Sequence, residues 1–327
     1  MRPVSALALL LAASSLAPAV SGCYTALTVG SIQGVPHLTV PCTDGGPGLP
    51  QRRCETLTVG ETTYTYRLYV PAAVAAAAPL LVVLHGAYQD AAGIEDMAGK
   101  GFDRRADQIG ALVVYPNSAR RMWHVDDVGF LRAMVETLRQ RYPIDSERIF
   151  VTGFSAGGWM TLFLACQSSD LFRGFVAVAA NIGEQLAHNC HPPFARPVAM
   201  IHGTADPFVP YSGGAKGLFG LGGRSIGAEA TFATFRTVAG CSGVESEPAQ
   251  QSAQGNPPNV LVHRATGCQE GINVVLYEIK GGVHVWPGAT LDSRSPMLRG
   301  SAPELDATQE AWHFLGLDTI RAQPTPG

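Results

Sequence analysis

The chain has 327 residues, 46% of them hydrophobic, and a formal net charge of −3 at pH 7. That length suits one large α/β domain, and the apolar share supports a sizeable core. A mildly negative chain with no basic stripe argues against a nucleic-acid partner.

The chain opens on Met1-Arg2-Pro3 and an apolar run over 4–16. Residues 1–22 read as a signal peptide, too short to span a membrane as a mature helix. The segment ends in Val20-Ser21-Gly22-Cys23. It resembles a bacterial lipobox, which would make Cys23 a lipidated first residue and anchor the protein to a membrane surface. Cleavage near Ala17-Pro18-Ala19 would instead release a free secreted protein. Both routes place it outside the cytoplasm. There are seven cysteines. Setting Cys23 aside leaves an even set for an oxidising compartment: Cys42, Cys54, Cys166, Cys190, Cys241 and Cys268. Six cysteines allow fifteen pairings; local pairing, 42–54, 166–190 and 241–268, is the simplest. Metal binding is the alternative, but no C-x-x-C or H-x-x-x-H spacing occurs, and neither metal nor organic cofactor is expected.

Residues 23–55 are rich in glycine, proline and turn formers and read as an irregular lead-in. The folded domain is expected over 56–318, with a disordered tail at 319–327. Alternation over 64–70 reads as an antiparallel edge strand. Buried-type runs at 80–84, 111–115, 148–152, 174–179, 197–201 and 273–279 read as parallel strands. Helical patterns start near Asp126, with Val128, Leu131, Val135 and Leu138 on one face, and follow Ser155. Two more span 228–238 and 307–315. The alternation predicts a doubly wound, mostly parallel sheet with an antiparallel edge. The glycine-rich stretch 212–227 is expected to flank or cover the cleft. The polar stretch 242–259 reads as a surface excursion.

Directly behind the strand at 148–152 stands Gly153-Phe154-Ser155-Ala156-Gly157-Gly158. This is G-x-S-x-G, a serine on a tight strand-to-helix turn. A serine hydroxyl needs a base to take its proton, and the base needs an acid to orient it. In the α/β-hydrolase order the acid comes next and the histidine last. Asp206 follows the strand at 197–201, and His284 follows the strand at 273–279. His188 and His191 precede Asp206 and break the order. His85 and His202 each precede a glycine at a strand end and read as loop-fixing residues. Asp126 and Asp127 read as helix caps. After the strand at 80–84, the turn His85-Gly86-Ala87 offers backbone amides that, with the N–H of Ala156, would face the oxyanion of a tetrahedral intermediate.

The set LHG-AYQD, DDVGFL at 126–131, TGFSAGG at 152–158, HGTADPFVPYSGG at 202–214, GGVHVWPG at 281–288 and DATQEAWHFL at 306–315 is distinctive. It resembles the polyhydroxybutyrate depolymerase-like esterases, similar to feruloyl and acetylxylan esterases, over roughly residues 60–315. The resemblance implies an α/β-hydrolase fold, a Ser155, Asp206 and His284 triad, a Cys241–Cys268 bridge, and an aromatic cleft wall at Trp286, with Trp123 in a similar part. It implies an exported serine ester hydrolase acting on short-acyl or hydroxyacyl esters, from polyester oligomers or esterified polysaccharide. A serine peptidase of the same fold and a non-catalytic carbohydrate- or lipid-binding protein are the other readings.

Overall fold

Runs of β-branched and aromatic residues form the strands, which the computed structural model describes over residues 48–216, 223–249, 259–289 and 305–318. In chain order the elements are β1 (Gln51–Val59), β2 (Thr62–Val70), β3 (Ala78–Leu84), α1 (Ala91–Met97), α2 (Gly101–Ile109), β4 (Leu112–Pro116), α3 (Asp127–Arg141), β5 (Ile144–Phe154), α4 (Ala156–Gln167), β6 (Gly174–Val178), α5 (Glu184–His188), β7 (Val198–Gly203), β8 (Gly214–Ala215), β9 (Arg224–Ser225), α6 (Ala228–Val238), β10 (Gly243–Pro248), β11 (Val260–Thr266), β12 (Val274–Ile279) and α7 (Ala307–Phe314). Ten strands form one sheet in the order β1-β2-β4-β3-β5-β6-β7-β12-β11-β10. The centre, from β4 to β12, is parallel. Both edges are antiparallel.

The mostly parallel sheet is the one that the alternation of strand and helix predicts, and the fold is the α/β-hydrolase fold that the resemblance implies. Every residue of β3 is buried. Leu80, Val82 and Leu84 pack on one face with Phe130, Leu131 and Met134 of α3. Leu81 and Val83 pack on the other with Ile94, Phe102 and Trp312. This two-faced burial explains why the parallel strands read as continuous apolar runs.

The structure differs from the expectation at its margins. A strand begins already at Gln51, inside the stretch read as irregular, and pairs along its length with β2. The stretch read as a surface excursion contains β10, paired with β11, so the sheet has a second antiparallel edge. Its residues are mostly exposed, which is why the sequence there looks like a loop. The helices α1 and α2 carry Gly93, Gly99 and Gly101 in or between them, which interrupt the helical pattern. Asp90 nonetheless caps α1 by accepting the Gly93 N–H.

Two disulfides match the local pairing. Cys166–Cys190 ties α4 to the segment after α5, and Cys241–Cys268 ties the end of α6 to the end of β11. Cys54 is disulfide-bonded. Its expected partner Cys42 lies outside the described residues, as do Cys23, the expected signal segment and the tail at 319–327. Among the described residues no helix is long and apolar enough to cross a membrane.

Candidate active site

The strand β5 ends at Phe154 and α4 begins at Ala156, leaving Ser155 alone at the turn. Its φ is +53°, in a region that L residues rarely adopt. The turn holds because the backbone on either side can close tightly. A Cβ at Gly157 would lie 2.4 Å from the carbonyl oxygen of Leu84, and one at Gly153 would lie 2.5 Å from the Gly157 carbonyl. Only glycine fits at either place. Hydrogen bonds from Ser155 N–H to Val178 O (2.8 Å) and from Trp159 N–H to Ser155 O (2.8 Å) fix the turn against β6 and α4.

Asp206 follows β7 and His284 follows β12, adjacent parallel strands. The loops beyond them are joined to each other. Ala205 N–H donates to Gly282 O at 2.9 Å, and Gly281 N–H donates to the Thr204 hydroxyl at 2.8 Å. Neighbouring strands thus deliver the carboxylate and the imidazole side by side at their C-terminal ends, where open α/β sheets build their sites.

There His284 Nδ1 lies 2.7 Å from Asp206 Oδ2, and His284 Nε2 lies 2.9 Å from Ser155 Oγ. The carboxylate can only accept, so Nδ1 carries the proton and Nε2 is left to accept from the serine hydroxyl. The other carboxylate oxygen, Oδ1, accepts the N–H groups of Phe208 and Val209, each at 2.8 Å. Burial pushes the Asp206 carboxyl up. Hydrogen bonding from His202, His284 and the Val209 amide outweighs that and holds it well below the usual carboxylate range. Asp206 is therefore ionised although its side chain is fully buried. The rings of Phe154 and Phe208 flank the His284 imidazole at 5.0 and 5.3 Å between centroids.

His202 has a part beyond loop-fixing. Its Nε2 lies 2.8 Å from Val209 O and 3.5 Å from Asp206 Oδ2, so one N–H holds the aspartate loop and also faces the carboxylate. Nothing in the bare sequence separates it from any other His-Gly after a strand. His85 is fully buried. Its Nδ1 faces Gly86 O at 2.7 Å, and its Nε2 accepts the Ser118 N–H at 3.1 Å. Burial lowers its pKa to about 4, against the raising effect of the Gly86 bond. The ring is a neutral brace under the turn at 85–89.

That turn corrects one expected donor. The Gly86 N–H is already given to Gln89 Oε1 at 2.9 Å, so it is not free for an oxyanion. Tyr88 N–H goes to Arg121 O at 2.6 Å and Gln89 N–H to Gly86 O at 3.2 Å. Ala87 and Ala156 remain the candidate donors.

Both tryptophans also require correction. Trp286 is 1% exposed, donates its indole N–H to the Thr308 hydroxyl at 3.0 Å and meets Phe102 edge-on. Trp123 is 3% exposed and donates to His85 O at 2.8 Å. Neither presents a face to a cleft. Trp286 seats the His284 loop on α7, and Trp123 seats the loop carrying it on the Gly86 turn. Among the described residues no group of His, Cys, Asp and Glu is arranged to hold a metal ion.

The chain matches the prolyl oligopeptidase family model (Peptidase_S9) over residues 115–186, the part that carries the serine turn. It is 29% identical over 281 residues to NocK, a candidate esterase of Nocardia uniformis subsp. tsuyamanensis, covering 79% of this chain and 80% of that one. It is 29% identical over 224 residues to feruloyl esterase B of Piromyces equi, covering 64% of this chain and 40% of that one. Both of these relatives are named as esterases. A shorter match, over 29% of the chain, reaches the poly(3-hydroxybutyrate) depolymerase of Ralstonia pickettii. Except for NocK, the chain spans less than half the length of these relatives, 40% of the feruloyl esterase and 24% of the depolymerase. The structure superposes on the acetyl xylan esterase from Aspergillus awamori with a TM-score of 0.56 at 15% identity, covering 81% of this chain and 99% of that one, a likeness of fold.

Proposed function

We propose that this protein is an exported serine carboxylic-ester hydrolase that works through an acyl-enzyme on Ser155. The observation that carries the reading is the hydrogen-bonded line Asp206–His284–Ser155, with distances of 2.7 and 2.9 Å, at the C-terminal ends of parallel strands. In this reading Ser155 Oγ attacks the ester carbonyl carbon while His284 Nε2 takes its proton. The carbonyl electron pair moves onto oxygen, where the Ala87 and Ala156 amides stabilise it. Such a donor is worth about 3 kcal/mol of barrier. The intermediate collapses, and His284 returns the proton to the departing alkoxide. Water, deprotonated by the same Nε2, then attacks the acyl carbon, the carboxylic acid leaves and Ser155 recovers its proton. Asp206, ionised throughout, holds the Nδ1–H tautomer and stabilises the imidazolium.

Relatives named for feruloyl and hydroxybutyrate esters support a substrate class of short acyl or hydroxyacyl esters. The disulfides support an oxidising compartment, reached either as a Cys23 lipoprotein or in free form. Ser155→Ala decides the chemistry. It should lower ester hydrolysis by about 10⁴-fold or more, with an unchanged circular dichroism spectrum. Retention of more than about a thousandth of the activity would remove Ser155 as nucleophile. The match to the prolyl oligopeptidase model favours a second reading, a peptidase. It covers the shared serine-turn region and none of the Asp206 or His284 loops. Equal turnover of a prolyl peptide and a short ester by the wild-type protein would support it.

A further inference from the structure

The loop after β3 holds an exposed aromatic residue in a strained backbone. Tyr88 is 51% exposed, and its φ is +61°. For a bulky side chain that conformation is costly, and such outliers persist only where their surroundings over-determine them. Here the surroundings do. The loop containing Tyr88 is tied to the loop before α3 at many points. Tyr88 N–H bonds to Arg121 O at 2.6 Å, and Arg121 is itself at φ +55°. Arg121 Nη2 reaches Asp90 Oδ2 at 3.1 Å. Ala91 N–H reaches Asn117 Oδ1 at 2.6 Å. Ser118 N–H and the Trp123 indole bind the two ends of His85.

None of these ties uses the Tyr88 side chain. Any residue would supply the backbone N–H, and glycine would supply it without strain. Stability therefore gives no account of a tyrosine at this position. Its location does. Tyr88 directly follows Ala87, whose amide is a candidate oxyanion donor. Two residues back, Gly86 lies against Phe154, with a notional Cβ 3.0 Å from the Phe154 ring, and Phe154 flanks His284. Among the described residues there are five exposed large hydrophobics, and two of them, Tyr88 and Val125, lie on this pair of tied loops. Trp123 and Trp286 nearby are buried, so neither offers a face to a flat group.

We propose that Tyr88 is a specificity-determining residue whose exposed ring, braced beside the Ala87 amide, packs against the face of a ring carried by the ester substrate. An aromatic acyl group and a sugar share that chemistry, since each offers a flat C–H-rich or π face. The inference rests on the ester-hydrolase reading above.

The test compares kcat and KM on methyl ferulate, on acetylated methyl xyloside and on ringless methyl butyrate. Tyr88→Ala and Tyr88→Gly should lower the ratio of kcat/KM on a ring-bearing ester to that on methyl butyrate about tenfold, which is about 1.4 kcal/mol, mainly through KM. Tyr88→Phe should keep the ratio. The arm that falls, ferulate or xyloside, identifies the source of the ring. Tyr88→Gly should also raise Tm, because it relieves the backbone. An unchanged ratio in both Ala and Gly variants, or an equal loss on all three esters, overturns the proposal while leaving the hydrolase reading intact. If the wild-type protein hydrolyses none of the esters, both fall.

Discussion

Single residues carry the chemistry, and their types were legible where reaction order constrains them. Serine, then aspartate, then histidine, each after a strand, picked out the three groups that the fold brings within hydrogen-bond distance. Exposure was not legible. A tryptophan two residues beyond His284 looks like a wall of the cleft and is in fact a buried anchor, because residue type does not encode which side of a loop faces water. Asp206→Asn tests the acid. An amide donates from its nitrogen, which would favour the wrong tautomer of His284, and kcat should fall on the order of 10⁴-fold by analogy with serine proteases. Activity within a few-fold of wild type would point to another carboxylate. His85 gives a pH prediction. Its folded pKa, about 4, lies below the 6.5 of the free side chain, so the unfolded chain takes up the proton first as pH falls. Its stabilising contribution is full above pH 6.5, is lost between there and about 4, and is constant below. The loss is on the order of 3 kcal/mol. Urea unfolding at pH 7 and pH 4.5 should show a smaller pH-dependent drop in His85→Gln than in wild type; parallel drops would refute this.

At the scale of elements, the buried parallel strands were plain from their unbroken apolar runs, and α3, α4, α6 and α7 from their patterns, whereas the glycine-interrupted α1 and α2 were not. The edge strands were not. β1 has a mixed and partly exposed pattern, and buried ion pairs add to the ladder with β2 and to the packing of Leu57 and Val59 on the core. Arg52 on β1 reaches Glu95 of α1 and Asp103 of α2, each at 2.7 Å, and both carboxylates are 2% exposed. Arg67 on β2 adds a contact to Glu95 at 3.0 Å, and Tyr115 donates to Asp103. Such a junction joins residues about 50 positions apart, beyond the reach of local periodicity. Arg52→Ala would leave two buried carboxylates short of their counter-charge, and breaking a buried pair costs about 3 kcal/mol or more. The urea midpoint should drop with the m-value unchanged. Arg52→Lys should recover only part of the loss, since one ammonium cannot match a fork that meets two carboxylates.

For the whole molecule, the candidate site lies at one end of the sheet, and the two disulfides whose cysteines both lie among the described residues sit on the elements around its β6–β12 half. They close loops of 24 and 27 residues. In the chain-entropy account each contributes about 3.5 kcal/mol. Reducing agent should therefore lower Tm clearly. Alkylation of native, unreduced protein should leave Cys166, Cys190, Cys241 and Cys268 unmodified. Modification of two or more of the four would contradict the pairing.

The seating of Trp286 on Thr308 sets an order of assembly in time. The turn holding Ser155 needs only β3, β5, β6 and α4. The Asp206 loop closes on itself and then on the loop of β12. His284, the proposed base, comes last, because its loop rests on α7 through the indole bond and through Ala307 N–H to Pro287 O at 3.0 Å. A chain in the course of synthesis thus carries Ser155, the proposed nucleophile, long before it carries a placed imidazole. On the proposed mechanism the chain stays chemically silent until α7 has been made, and a ribosome-bound chain halted before Asp306 should label with a fluorophosphonate far more slowly than the released protein.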